Sequence, residues 1–436
     1  MIQALRDLFS FAVDYGLVPF GWVFFLGLLL WMWYKLTTIK NNTAYINSIE
    51  WIFLELKIHD LNERSSLAME QVFAALHAIH TNYSFGETLF GGKSVLWLSC
   101  EIVSLGGKVS YIFKIPKRYR ALLESAIFAQ YPRAEISETE DYLRNMPHEY
   151  YPQSADFEFW GTQLNKKKDN AYPIRLIMGF EHKEQETFID PVSNIIEVMS
   201  NIQPWELLAY QLCIQPINDD WKKNTKYLLD ELKGARSEHK NGWFNSVISI
   251  PRYFMDILVH DIMGVEAEVE QQHVKEEPPT LMLHKSDVEK KIIADVENAL
   301  GKIYYKFKLR LLYLAPKDKF NRSLRVPEII GAFRNFDDVN LNGLKPDIAH
   351  TWTNPDYKLS PTLEAPALRH QTLVRKRHMW HYFLGRKIWQ GTGENYMNTE
   401  ELATVFHFPV APNVRVSQLE KVQAVKSAPP ADLPIG

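Results

Sequence analysis

The stretch VLWLSCEIVSLGGKVSYIFKI, residues 95–115, decides the fold class. Two apolar runs flank Ser104, Leu105, Gly106 and Gly107, and in the second Val109, Tyr111, Phe113 and Ile115 alternate with Lys108, Ser110 and Lys114. Period-two alternation on the far side of a glycine turn predicts a β-hairpin with one buried face. Upstream, residues 51–58 (WIFLELKI) read as a strand, and over residues 68–80 Met69, Val72, Phe73, Leu76 and Ile79 recur at helical steps. Downstream, Tyr119, Leu122, Leu123, Ile127, Phe128 and Tyr131 predict a second helix, followed by a short strand at 134–137. The order β-α-β-β-α-β is that of a ferredoxin-like, split βαβ unit, here covering residues 45–150.

A related pattern returns over residues 151–345. Residues 174–180 read as a strand, 192–202 as a helix, 205–214 (WELLAYQLCI) as a strand, 287–300 as a helix and 303–314 as a strand. The 287–300 helix opens on a capping box, Ser286-x-x-Glu289, and a further helix carries Val326, Ile329, Ile330 and Phe333. A second ferredoxin-like α+β domain is therefore expected, with a helical insertion at 218–283. Inside it, 221–232 reads as a surface helix, and 243–263 is apolar enough to be buried or to lie on a membrane. Residues 264–280, rich in Glu and Gln, read as a disordered linker, and the proline-rich 409–436 as a disordered tail.

Ahead of both domains, LVPFGWVFFLGLLLWMWYKL (residues 17–36) carries no charge until Lys35. About 20 apolar residues match a ~30 Å hydrocarbon layer, so a membrane-spanning helix is expected. Trp22 near one end and Trp31, Trp33 and Tyr34 near the other suit the two interfaces. Residues 1–16, with Ile2, Leu5, Leu8 and Phe9 at near-helical spacing, read as an interfacial segment. Lys35 and Lys40 follow the span whereas Arg6 alone precedes it. The positive-inside rule then puts the N-terminus outside and the domains in the cytoplasm, at a plasma (inner) membrane.

With 46% hydrophobic and 23% charged residues, the 436-residue chain is globular in composition, and a net charge of -3 excludes a wholesale polyanion binder. Its two cysteines, Cys100 and Cys213, sit in apolar runs, which excludes a disulfide framework. The segment GETLFGGKS (86–94) misses the phosphate-loop pattern: Glu87, not a glycine, stands six before Lys93. A glycine-rich turn into the hairpin is expected instead. His77 with His80, and His378 with His381, have i, i+3 spacing but no carboxylate or thiol partner placed by spacing. No catalytic residue, cofactor or metal site is predicted.

Residues 346–408 form a basic helical segment leading into a docking segment. Arg375, Lys376, Arg377, Arg386 and Lys387 interleave with Trp380, Tyr382 and Phe383. Such a face can grip phosphates and stack bases, lie on anionic lipid, or pack within the protein, and the sequence leaves nucleic acid open.

At NTEELATVFHFP (398–409) the chain resembles the segment that precedes the nucleotide-binding core in membrane-anchored, type IV secretion-like ATPases of the TraG/HerA conjugation kind. AMEQVFAALHAIH (68–80), KIPKRYRALLESAIFAQYPRAEI (114–136) and PWELLAYQLCIQPI (204–217) resemble that family's N-terminal region, in the same order. The resemblance transfers no catalytic residue, since the family's Walker motifs belong to a core that follows the NTEELA segment. It implies the membrane and docking half of a translocation machine, with a separate P-loop ATPase as partner. Leu402, Val405, Phe406 and Phe408 are the expected docking contacts, and a ring of copies is expected by analogy with translocation motors. A membrane-bound envelope scaffold is the alternative reading.

Overall fold

The computed structural model describes residue 3 and residues 18–58, 66–144, 156–182, 187–188, 190–233, 285–353 and 361–409. The expected interfacial segment (1–16), the apolar run 243–263, the linker 264–280 and nearly all of the tail 409–436 lie outside them.

The chain opens with α1 (Val18–Asn47), followed by β1 (Trp51–Lys57), α2 (Ser66–Leu76) and the short α3 (Phe85–Leu89). Next come β2 (Leu98–Leu105), β3 (Lys108–Pro116), α4 (Arg120–Gln130), β4 (Glu135–Thr139) and β5 (Phe157–Lys166). A small ribbon, β6 (Glu181–His182) and β7 (Thr187–Phe188), precedes α5 (Pro191–Ser200) and β8 (Leu207–Pro216). The helices α6 (Lys222–Lys233) and α7 (Asp287–Leu300) separate β8 from β9 (Tyr304–Pro316). The chain then forms α8 (Arg322–Phe333), β10 (Leu344–Pro346), α9 (Pro361–Gly385), β11 (Asn395–Asn398) and α10 (Thr399–Val405).

The protein is α+β: among the described residues, nine strands form one sheet in the order β10-β5-β9-β8-β2-β3-β1-β4, with β11 added to β9. Every pairing in it is antiparallel. The hairpin occurs as read. Leu105 faces Lys108 across Gly106 and Gly107, whose φ of 59° and 91° are the pair of positive values a tight two-residue turn needs.

The order holds a symmetry that the sequence only half revealed. From β1 to β4 the strands lie 2-3-1-4, each β-α-β pair split by one antiparallel strand; β5, β8, β9 and β10 repeat that order outward on the other side. The halves meet where β2 pairs with β8, Leu98 to Leu105 against Ile214 to Leu207, so one sheet runs through both. By compactness the chain divides into one unit of residues 1–218 with 302–436 and a second unit of residues 219–301, which contains α6 packed on α7.

Three expectations change. The first strand of the second half is β5, not 174–180, where the chain forms a 3-10 turn at Ile177–Phe180. Strand β5 (FEFWGTQLNK) is buried on both faces and so lacks the alternation that marks a strand. Helix α7 belongs to the inserted unit, while α5 and α8 cover the second half of the sheet. The hairpin's second face is also buried: β2 is covered along nearly its whole length.

That second cover comes from α9. On one side, α2, α4, α5, α8 and α10 enclose a large core with Leu54, Cys100, Phe113, Leu212 and Leu309 of the sheet. On the other, Met379, Trp380 and Phe383 of α9 pack on Val103, Phe159, Ala209 and Leu312. Burial of this much apolar surface, at about 25 cal/mol per Å², outweighs any local propensity. Helix α1 is long and apolar enough to cross a membrane, and none of its apolar window is buried.

Candidate functional site: the basic helix and the anchor junction

The residues proposed for docking face inward. Leu402, Val405, Phe406 and Phe408 are all buried. Phe406 is ringed by Phe73, Tyr111, Phe113 and Tyr210, and Phe408 by Tyr111 and Tyr131. The docking expectation is corrected on that ground, because side chains that fill their own core present nothing to a partner. The segment works as a clasp. β11 pairs with β9, and Asn398 caps α10 in a box with Glu401. Glu401 then reaches Lys166 at 2.7 Å and accepts from the Ile174 N–H at 3.0 Å. Burial pulls Lys166 below the usual lysine range, against the opposing lift from Glu401. His407 lies 2.9 Å from Asp190, which caps α5.

Of the readings open for the basic segment, packing within the protein describes Arg375, Lys376, Trp380 and Arg386, which are buried. Arg375 donates to the carbonyls of Ile348 (2.9 Å), Trp352 (3.2 Å) and Ala349; Lys376 pairs with Glu158. Trp380 is buried against Phe157 and Phe159. Arg377 remains exposed and Lys387 is half-buried.

Arg386 is fully buried and holds φ at 52°, the left-handed region that non-glycine residues enter at a cost of ~1 kcal/mol or more. Three contacts hold it there. Its Nε donates to Glu101 (2.7 Å), its two terminal nitrogens grip Asp141 (2.8 Å each), and its carbonyl accepts from Trp97 Nε1 (2.6 Å). Glu101 also accepts from Ser99 (2.6 Å) and Tyr142 (2.7 Å). Burial works against the Arg386 charge, but Glu101, Tyr142 and Asp141 together raise its pKa well above normal. Beside it Arg310 donates to the carbonyls of Tyr382 (3.0 Å), Lys387 (2.8 Å) and Gln390 (2.7 Å). A polar seam thus fixes the end of α9 to the middle of the sheet. Glu101 and Arg310 were missed in the sequence; a lone charge within an apolar strand was the available signal.

The seam leads to the anchor. Ile46 of α1 packs on Trp97, Cys213 and Ile388, and Trp97 carries the Arg386 carbonyl bond. One turn earlier, Asn41 donates to the Leu89 carbonyl (2.8 Å), and Asn42 to the Gly92 carbonyl (2.9 Å) and Ser94 (2.8 Å). Gly92 sits at φ 64°, and a Cβ there would meet the Asn41 carbonyl oxygen at 2.1 Å. The glycine-rich segment is thus a helical turn and a close crossing over α1, with Lys93 paired to Glu87 at 2.8 Å.

Chemically, these groups are occupied with one another. Burial pushes the Cys100 thiol well up and the Cys213 thiol up, which keeps both from thiolate chemistry at neutral pH. His77 meets the Ile217 carbonyl (3.1 Å) and stacks on His80, while His378 stacks on Tyr382. Among the described residues no three His, Cys, Asp or Glu side chains converge as a metal site.

The model of a family described as a domain of unknown function, DUF8128, matches residues 54–416. The chain belongs to that family. The DUF8128 match begins after α1, within β1, and runs through the rest of the nine-stranded sheet, both its covers and the clasp. No curated protein matches the chain.

Proposed function

We propose that the protein is a single-pass, membrane-anchored, non-enzymatic platform that recruits a P-loop ATPase of a type IV secretion-like machine. Its sheet unit lies on the cytoplasmic side of the plasma membrane. The observation that carries this reading is the junction: α1 does not end in a tether but continues, through Asn41, Asn42 and Ile46, into the sheet's own packing. An apolar helix built into a domain in this way holds that domain at a set height above a bilayer, which suits an assembly platform. The family resemblance of residues 68–80, 114–136, 204–217 and 398–409 supports the translocation setting.

The test is to solubilise the tagged, full-length protein from its native membrane in mild detergent and identify what co-elutes. A stoichiometric P-loop ATPase is expected. Its reproducible absence, with structural envelope proteins in its place, would leave the scaffold role instead. For orientation, a thiol-reactive label that does not cross membranes should fail to reach a cysteine placed at Leu105 in intact cells.

A further inference from the structure

We propose that helix α3 is a second membrane contact, lying in the headgroup layer beside the anchor with the rings of Phe85 and Phe90 in lipid. This inference rests on reading α1 as the spanning helix. Phe85 opens α3 and Phe90 directly follows it; they are 68% and 70% exposed, although the sheet unit buries most of its large aromatic side chains. Two exposed phenylalanines on so short a turn need a cover, and the position of α3 says which one.

Phe85 stacks on Tyr34 of α1, ring centroids 6.0 Å apart and planes within 5°. Tyr34 lies in the aromatic end of the apolar span, the part that favours the interface. The other end of α3 is fixed further along, where the Leu89 carbonyl accepts from Asn41. Asn41 lies five residues past Leu36, about 8 Å at the helical rise of 1.5 Å per residue. A headgroup layer reaches ~5–7 Å beyond the hydrocarbon on each side. From Phe85 at the hydrocarbon boundary to Phe90 at the outer edge of the headgroups, α3 therefore spans that layer. Its height is set by hydrogen bonds from α1, not by a flexible loop.

Lipid is the occupant that this placement favours. Aromatic rings are the side chains that gain most at this depth, and the patch continues the lipid-facing surface of α1, where Trp31 and Trp33 are 58% and 54% exposed. Lys35 and Lys40, on α1 at the same level, suit the phosphates of that layer. A second contact beside the helix limits rotation and tilt of the sheet against the bilayer.

The experiment uses the full chain in phosphatidylcholine vesicles. Single cysteines replace Phe85, Phe90, Leu36 and Leu105 in turn and carry an environment-sensitive fluorophore; Cys100 and Cys213 stay in place because they are buried. Leu105, 51% exposed at the hairpin turn, lies at the opposite end of β2 from the anchor and serves as the aqueous control. Lipids with a nitroxide near the headgroup should quench labels at 36, 85 and 90 and leave 105 bright. Quenching at 36 with 85 and 90 as bright as 105 would overturn the second contact while the anchor stands. Loss of quenching at 36 would remove the anchor reading and this inference with it. Labels at 85 and 90 shielded from aqueous iodide yet untouched by the lipid nitroxide would mean that protein covers α3, which also overturns it. Thermal unfolding of each labelled variant checks that the sheet is intact.

Discussion

Replacing Phe406 with alanine separates two roles for the NTEELATVFHFP segment. Phe406 is fully buried, with ring centroids of Phe113 and Tyr111 at 5.5 and 5.7 Å and those of Phe73 and Tyr210 at 6.4 Å. Truncating a core phenylalanine costs ~3–5 kcal/mol, and the upper half applies where neighbours cannot collapse into the space. Here the neighbours are rings carried on β3, β8 and α2, each held by its own element, so ~4 kcal/mol is expected. In a sheet unit of this size ~1 kcal/mol lowers Tm by about 1–2 °C, so Phe406→Ala should lower it by roughly 4–8 °C. The assay is thermal unfolding of the full-length protein in mild detergent, followed by circular dichroism. Val339→Ala, at a residue 93% exposed, is the control and should stay within about 0.5 kcal/mol of wild type. An unchanged Tm for Phe406→Ala, with a lost binding partner, would refute the burial argument.

Other perturbations read other parts of the structure. Arg386→Ala leaves Glu101 buried and unpaired and should cost ~3–5 kcal/mol in denaturant unfolding, while the double change with Glu101→Gln should recover a large part of it. Lys308 is pushed down to about 8, first by burial and then by the Lys306 and Arg310 charges. A lysine whose folded pKa is depressed holds fewer protons folded than unfolded, so stability rises as pH climbs from about 8 toward the unfolded value near 10.5. The rise from this residue is at most ~3 kcal/mol, and Lys308→Met should flatten that part of the pH profile relative to wild type. Gly92→Ala puts a methyl group into the Asn41 carbonyl at a positive φ, and should open the junction to proteolysis near residue 92 while the sheet keeps its protease resistance.

The sequence carried the parts of this fold that have one wet face, a long apolar run, or a turn of special chemistry. Helix α2 showed its stripe because its outer side is exposed, and the β2–β3 turn showed itself because two positive φ values demand glycine. Strand β5 shows neither signal: both its faces are buried, which erases the alternation, and Glu158, Thr162, Gln163 and Asn165 break the continuous apolar run that marks β8 and β9. The basic helix misled for a related reason. Arg375, Lys376 and Arg386 look like a cationic surface in one dimension, but their partners, the carbonyls after β10 and the carboxylates Glu158, Glu101 and Asp141, lie far away in sequence. Spacing along a helix reports which residues share a side of it; it does not report what that side meets.

The same reasoning bears on the resemblance to conjugation ATPases. The strings that carry it, 68–80, 114–136, 204–217 and 398–409, become α2, the end of β3 with α4 and the start of β4, β8, and the clasp at α10. Phe73, Ile115, Ile127, Tyr210, Leu402 and Phe406, one or more from each string, belong to a single core on one side of the sheet. Scattered strings that converge on one core share packing constraints, and packing is a property of fold before it is one of partnership. The recruitment proposed above would therefore fall to residues outside these strings' buried positions, on surface that the clasp holds in place. A partner-loss screen should concentrate on exposed substitutions that leave Tm unchanged, because a core change such as Phe406→Ala reports packing through Tm and does not locate a binding surface.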